Sequence, residues 1–301
     1  MKIFNIALGD YQAYEKFKYP AGELQVRLLP ASLKEIHSAG QILLTARISS
    51  SEELIEACLL VSALKGCLIS HSESEPSKRI ALVLPYLPYA RADRRFVEGD
   101  CFGLETFAHV VNGLEIDVYC LDAHSSKAPD LVRRLHSLTP ELLIQQAIRH
   151  NLTAHGAEKL TLLFPDEGAK KRYGELSQSL SLGALHCSKV RDKVTGKLSK
   201  FSVPEKHEFT TANVLLIDDI CDGGGTFIGI AEALKGHDLR LSLYVTHGIF
   251  SKGLEPLTRR FDTIYTTDSF AHDLIDPSLI VYQVANLFEQ AALPSLQRSA
   301  V

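Results

Sequence analysis

VLLIDDICDGGGTF, residues 214–227, joins an apolar run (Val214–Ile217) to two adjacent carboxylates, Asp218 and Asp219. A third acid, Asp222, follows, then Gly223, Gly224, Gly225 and Thr226, and then FIGIAEALKG with helical spacing. A short run that is apolar on both sides predicts a strand buried in a parallel sheet, stopping at Asp218. The glycines allow a tight turn that exposes consecutive N–H groups, and the next helix directs its positive end at that turn. Such a turn holds a phosphate. The acids accept hydrogen bonds, so they call for hydroxyls or a metal beside it. A sugar phosphate meets both demands, with its diol on the acids and its phosphate on the glycine loop. An acidic strand end with an ordinary turn would leave three carboxylates and three glycines in eight residues without a role.

The chain around this stretch has 301 residues, 46% hydrophobic and 23% charged, which suits a globular protein of two domains. A net charge of −4 gives no footing for nonspecific nucleic-acid binding. The apolar runs are too short to span a membrane, and MKIFNIALGD reads as a strand rather than a signal peptide. Six cysteines, at 58, 67, 101, 120, 187 and 221, show no CxxC and no zinc spacing, as for reduced thiols in the cytoplasm.

Strands alternate with helical segments along the whole chain, predicting parallel sheets flanked by helices. Strands are expected at Ile3–Leu8, Leu24–Leu29, from Gln41, at Ile80–Leu84, Ile116–Leu121, Lys159–Phe164, Gly183–Cys187, Arg240–Thr246 and Asp262–Thr266. Ser50 or Ser51 caps a helix through Leu64, with Glu52 and Glu53 in its first turn. Several strands end in charged residues. Ile80–Leu84 opens into PYLPYARADRRFVEGD, where two prolines exclude helix and Arg91, Asp93, Arg94 and Arg95 gather on a loop. Arginines beyond a strand's carboxyl end suit a polyphosphate, gripped in bidentate fashion. Ile116–Leu121 ends in Asp122, Ala123 and His124, and Lys159–Phe164 ends in PDEGAKKR, a carboxylate with a glycine turn and basic residues. The stretch SKVRDKVTGKLSKFSVPEK, from Ser188, has few apolar residues and reads as a mobile hairpin or flap.

Together RADRR, DAH, PDEG, the basic flap and DDICDGGGT resemble the ribose-phosphate diphosphokinase (phosphoribosyl diphosphate synthetase) family over nearly the whole chain. DDxxDxGGT is shared with ordinary type I phosphoribosyltransferases, whereas PYxxYARxDRR followed by DAH is more specific. The resemblance implies two similar phosphoribosyltransferase-type α/β domains, each a mostly parallel sheet flanked by helices. They are an ATP-binding domain over residues 1–145 and a ribose 5-phosphate-binding domain over 146–301, whose last residues are able to pack back on the first. It implies transfer of the diphosphate of ATP to ribose 5-phosphate with Mg²⁺, in a homo-oligomer, dimer or hexamer.

By the same resemblance Asp218, Asp219 and Asp222 belong to the ribose 5-phosphate loop. Asp218 and Asp219 face the ribose hydroxyls directly or through Mg²⁺, and Gly223, Gly224, Gly225 and Thr226 hold the 5-phosphate. Arg91, Asp93 and Arg94 lie in the ATP loop, and Tyr19 and Glu23, in YPAGE, reach the adenine across a subunit interface. His124 and Asp166 are the metal-associated pair. Lys189 and Arg191, on the flap, and His124 are the catalytic residues. The chain departs from the family's pattern at Glu167 and Ala169; at Ala21 and Ala92, so the family's purine selectivity is not implied; and at Glu105, so the usual phosphate activation and ADP inhibition are not implied either. Two other activities use the same ligands or fold: a transferase that consumes phosphoribosyl diphosphate, and a catalytically silent regulatory homologue.

Overall fold

The apolar runs at 42–45, 80–84, 117–121 and 214–217 lie side by side with their neighbours in parallel sheets. The computed structural model describes residues 2–71, 75–191, 198–270 and 273–293. It divides into two units, Met1–Leu138 with Val284–Val301, and Thr139–Gln283.

The first unit begins β1 (Ile3–Ala7), β2 (Tyr14–Lys18), β3 (Leu24–Leu28), α1 (Pro30–Ser38), β4 (Gln41–Thr45) and α2 (Ser51–Ser70). It continues β5 (Ile80–Leu84), α3 (Gly103–Asn112), β6 (Asp117–Leu121), α4 (Ala128–Leu131) and β7 (Leu135–Leu138). Its sheet has the order β1-β4-β5-β6-β7, every pair parallel. Ser50 is the cap of α2: its Oγ accepts from Glu53 N at 3.2 Å, and Glu53 Oε2 accepts from Ser50 N at 3.0 Å. The helix runs six residues past Leu64, because Leu68 continues its buried stripe of Ala57, Leu60, Val61 and Leu64. Each such leucine removed from water contributes about 1.5–3 kcal/mol. The stripe packs with Ile42, Leu44, Ile80, Leu82 and Leu84 in one core. The antiparallel hairpin β2–β3 is tied to α2 by the buried Glu56, which accepts from Tyr14 Oη at 2.5 Å and Lys16 Nζ at 2.8 Å. Burial, then the Glu56 contact, raise the Tyr14 hydroxyl above the usual tyrosine range.

The second unit contains α5 (Glu141–Ala154), β8 (Thr161–Phe164), α6 (Glu167–Ser179), β9 (Gly183–His186), β10 (Ser188–Arg191) and β11 (Leu198–Ser202). Then come β12 (Asn213–Cys221), α7 (Gly225–Ala233), β13 (Arg240–Gly248), α8 (Glu255–Thr258), β14 (Thr263–Thr267) and β15 (Leu279–Tyr282). Its sheet has the order β15-β14-β13-β12-β8-β9, again parallel throughout. The last helix, α9 (Ala285–Ala292), belongs to the first unit, where Asn5 Nδ2 donates to Glu289 Oε1 at 2.7 Å.

Two local expectations change. β12 does not stop at Asp218 but runs on to Cys221, because β13 is equally long and keeps pairing, Ile220 with His247 and Cys221 with Gly248. PDEG is not a glycine turn: Asp166 caps α6, its Oδ1 accepting from Ala169 N at 3.1 Å, and Glu167 and Gly168 lie in the first helical turn. Among the described residues no helix is long and apolar enough to cross a membrane.

Candidate active site

In the first unit β5 and β6 end side by side, with Leu84 opposite Cys120, and their following loops are stapled together. Pro85, Leu87, Pro88 and Ala90 are buried and seat the loop after β5, leaving Arg91, Arg94 and Arg95 exposed. Asp93 is the staple. Its buried carboxylate accepts from Arg94 Nε at 2.8 Å and Ser125 Oγ at 2.9 Å, while Lys127 Nζ donates to its backbone oxygen at 2.9 Å. Arg94, then Ser125 and the Lys127 charge, hold the Asp93 carboxyl below the usual range. Asp93 is thus occupied with the loop, and the outward charge falls to the arginines. His124 stands next to Ser125 and is half-buried. Asp122, before it, is buried with a left-handed φ of 47°, and its N–H donates to Leu138 O at 2.8 Å. The farther end of the arginine loop is closed by Asp100 Oδ2, which accepts from Phe96 N and Val97 N, and Arg95 stands 3.6 Å from Glu105. Tyr19 and Glu23 lie in the β2–β3 turn, where Tyr19 N donates to Glu23 O at 2.9 Å, and both side chains are exposed.

In the second unit β8, β12 and β13 bring their carboxyl ends together. Along β12 the side chains alternate: Asp218 and Ile220 are half-buried, Asp219 and Cys221 fully buried. Asp219, 3% exposed, is ion-paired with Arg172 of α6. Asp218 Oδ1 accepts from Asp219 N at 2.9 Å. Beyond the strand, Asp222 is half-buried and its Oδ1 accepts from Ser251 Oγ at 2.6 Å. Gly224, with φ of 74°, is the N-cap of α7, whose first turn holds Gly225 and Thr226. Asp166 begins α6 at the end of β8, the strand next to β12.

The basic stretch is an antiparallel hairpin of β10 and β11, with Lys189 opposite Phe201. Phe201 rests on α7 at Gly229, where a Cβ would stand 2.4 Å from the ring. The side chains of Lys189 and Arg191, and residues 192–197 altogether, lie outside the described residues.

The arrangement can bind polyanions and a diol. Cysteine chemistry is not part of it: burial pushes the thiols of Cys120, Cys187 and Cys221 up to about 12, so they stay protonated. Among the described residues no three His, Cys, Asp or Glu side chains are grouped to hold a metal ion. Sequence reasoning did not single out Arg172, Ser125, Lys127, Ser251 or the buried His247, whose Nδ1 lies 2.7 Å from Ser269 Oγ. For Arg172 a signal existed: three consecutive basic residues after a capping aspartate on a helix that faces the acidic strand.

No family model matches the chain. It is 27% identical over 278 residues to the ribose-phosphate pyrophosphokinase of Pyrococcus abyssi (strain GE5 / Orsay), covering 92% of this chain and 90% of that one. Against the enzyme of the same name from Pyrococcus furiosus the identity is 28% over 274 residues, covering 90% of each. Against that from Thermotoga maritima it is 27% over 301 residues, covering 96% and 88%. The crystal structure of phosphoribosylpyrophosphate synthetase from Mycobacterium smegmatis shares the fold, with a TM-score of 0.76, 18% identity, and coverage of 99% of this chain and 100% of that one.

Proposed function

We propose that this chain, a divergent member of the ribose-phosphate pyrophosphokinase family, transfers the diphosphate of ATP to the C1 hydroxyl of ribose 5-phosphate. The products are 5-phosphoribosyl 1-diphosphate and AMP. The observation that carries the reading is the contrast between the two sets of strand ends. In the first unit the loops after β5 and β6 present Arg91, Arg94, Arg95 and Lys127 around one buried acid. In the second, the end of β12 presents Asp218, Asp222 and the amino end of α7. Cations in the first set suit the triphosphate. Acids beside free helix N–H groups suit a sugar phosphate.

In this reading Gly223–Thr226 hold the 5-phosphate, and Asp218 and Asp222 accept hydrogen bonds from the ribose hydroxyls. Arg91 and Arg94 grip the nucleotide phosphates, with Tyr19 and Glu23 toward the adenine. The C1 oxygen attacks the β-phosphorus, its proton is released, and the bond from that phosphorus to the α-phosphate oxygen breaks. Lys189 and Arg191 neutralise charge on the phosphates in transit, so catalysis rests on position and electrostatics with no covalent enzyme intermediate. Mg²⁺ fits the donors present. One or two protein ligands would suffice to hold it, with water and substrate phosphate supplying the rest, so no three-residue cage is required. Asp218 and Asp222 offer carboxylate oxygens, and His124 and Asp166 are the other ligand candidates. When bound, the ion supplies charge neutralisation along the phosphates.

The test is AMP release from ATP and ribose 5-phosphate with no nucleobase present. Release that requires a nucleobase, or none at all, refutes the proposal.

A further inference from the structure

The three glycines after Asp222 differ in what demands them, and one of them points to a residue outside the loop. Gly224 needs its left-handed φ of 74°. Gly225 has neither a left-handed φ nor any atom within 4 Å of where a Cβ would stand. It is exposed at the first position of α7. Gly223 also lacks a left-handed φ, yet a Cβ there would lie 3.2 Å from Cδ, 3.3 Å from Cε and 3.5 Å from Cγ of Lys252. The lysine's stem is laid along the loop's own backbone.

The chain is held there by a strap that follows β13. Ile249 N and Phe250 N both donate to Cys221 O, at 2.9 and 3.1 Å. Ser251 N donates to Asp222 O at 3.2 Å, and Ser251 Oγ to Asp222 Oδ1 at 2.6 Å. The strap therefore carries Lys252 over Gly223 while it fixes the loop's one carboxylate. Charge makes this placement matter. Residues Asp222–Thr226 contain an acid and no basic side chain. A phosphate monoester brings about −1.5 to −2 charges near neutral pH, and a helix amino end offers only about +0.5.

We propose that Lys252 is a binding residue for the 5-phosphate group, supplying as a point charge what the glycine loop cannot. This rests on the reading of the loop as the ribose 5-phosphate site. It also bears on Gly223: a side chain there would crowd the lysine stem and shift it from its place along the loop.

Equilibrium titration of the full chain with ribose 5-phosphate, and with ribose as the phosphate-free comparison, tests it. Lys252→Met keeps the stem and removes the charge. Its Kd for ribose 5-phosphate is expected to rise about ten- to hundredfold, with the KM for that substrate following and the KM for ATP unmoved. Lys252→Arg recovers most of the affinity, Gly223→Ala weakens binding in the same direction as Lys252→Met, and ribose binding does not respond to any of the three. A purely structural lysine would leave the Met variant unchanged, and ribose 5-phosphate binding of the Met variant equal to that of the wild type overturns the inference while leaving the proposed function intact. Wild-type protein that binds no ribose 5-phosphate overturns the underlying reading, and this inference with it.

Discussion

Arg172→Met removes a guanidinium from a carboxylate that water barely reaches. Asp219 is 3% exposed on β12, and the Arg172 side chain, 27% exposed, comes to it from α6. Met keeps most of the aliphatic stem, so the change is chiefly electrostatic. A buried charge stripped of its partner usually costs 3–5 kcal/mol; the arginine's contact with solvent puts this pair at the lower end, about 3 kcal/mol. For a unit of this size that lowers the unfolding midpoint by roughly 6–12 °C. Asp219→Asn in the same background removes the stranded charge and is expected to recover most of the loss. Asp219→Asn alone costs less, about 1 kcal/mol, because the released guanidinium turns toward water. Calorimetric unfolding of the wild type, both single variants and the double variant gives the coupling energy directly. A midpoint for Arg172→Met within 2 °C of wild type would mean, on the roughly 2–4 °C expected per kcal/mol, that the carboxylate does not depend on this partner. The reasoning would then fail. The same experiment bears on binding: with Asp219 engaged by Arg172, Asp218→Asn should weaken ribose 5-phosphate binding far more than Asp219→Asn does.

Lys189→Ala and Arg191→Ala are each expected to lower turnover about a hundredfold or more while ribose 5-phosphate still binds, and near-normal rates in either variant would remove the flap from the mechanism. Asp166→Ala should cost about 1 kcal/mol through the lost cap of α6, whereas Asp166→Asn keeps the cap. Thermal unfolding combined with a Mg²⁺ titration of activity separates the two roles, since only a ligand role makes the Asn variant need more Mg²⁺. The hydrogen bond from Arg94 holds the folded Asp93 carboxyl below its unfolded value near 3.9, so this acid stabilises the fold above about pH 4 and loses that contribution as pH falls through the folded value. Urea unfolding at pH 5, 4 and 3 should show Asp93→Asn losing less stability across that window than the wild type, and equal slopes would contradict the pairing. Gly229→Ala sets a methyl against the Phe201 ring, and Phe201→Ala should relieve it; hydrogen exchange along β11 that is unchanged in the single variant would refute the contact.

Much of this was legible because buried parallel strands and helix caps leave strong local marks. The runs Ile80–Leu84 and Val214–Ile217 have no polar face, so they could only be interior strands. Ser50 with Glu53 announced the start of α2. What stayed hidden depends on partners distant in sequence. The extension of β12 through Asp218–Cys221 is set by the length of β13, since backbone pairing is indifferent to the side chains that periodicity measures. The glycine in PDEG looked like a turn, but the capping aspartate before it and the helix-forming residues after it outweigh one glycine's cost of about 1 kcal/mol. Arg172 and Asp219 are 47 residues apart, so the run Lys170–Arg172 marks a basic helix start but does not say which acid it pairs with.

The two units solve opposite electrostatic problems with one device. In each, a buried carboxylate close in sequence to the other charged residues is paired internally, so it organises the loop. Asp93 takes Arg94 and Ser125, and the exposed side chains of Arg91, Arg94, Arg95 and Lys127 surround it. Asp219 takes Arg172, while Asp218 and Asp222 stand half-buried at the end of β12 and beyond it. A buried acid with its own cation resists reorganisation, since separating the pair leaves an uncompensated charge in the interior. The surplus charge is therefore presented from a fixed backbone, which is what electrostatic recognition of a diol and a polyphosphate requires. It follows that ADRR and DDICD are not uniform acid or base clusters. Each holds one buried acid that shapes the loop, Asp93 or Asp219, and its pairing partner rather than its residue type gives it that role.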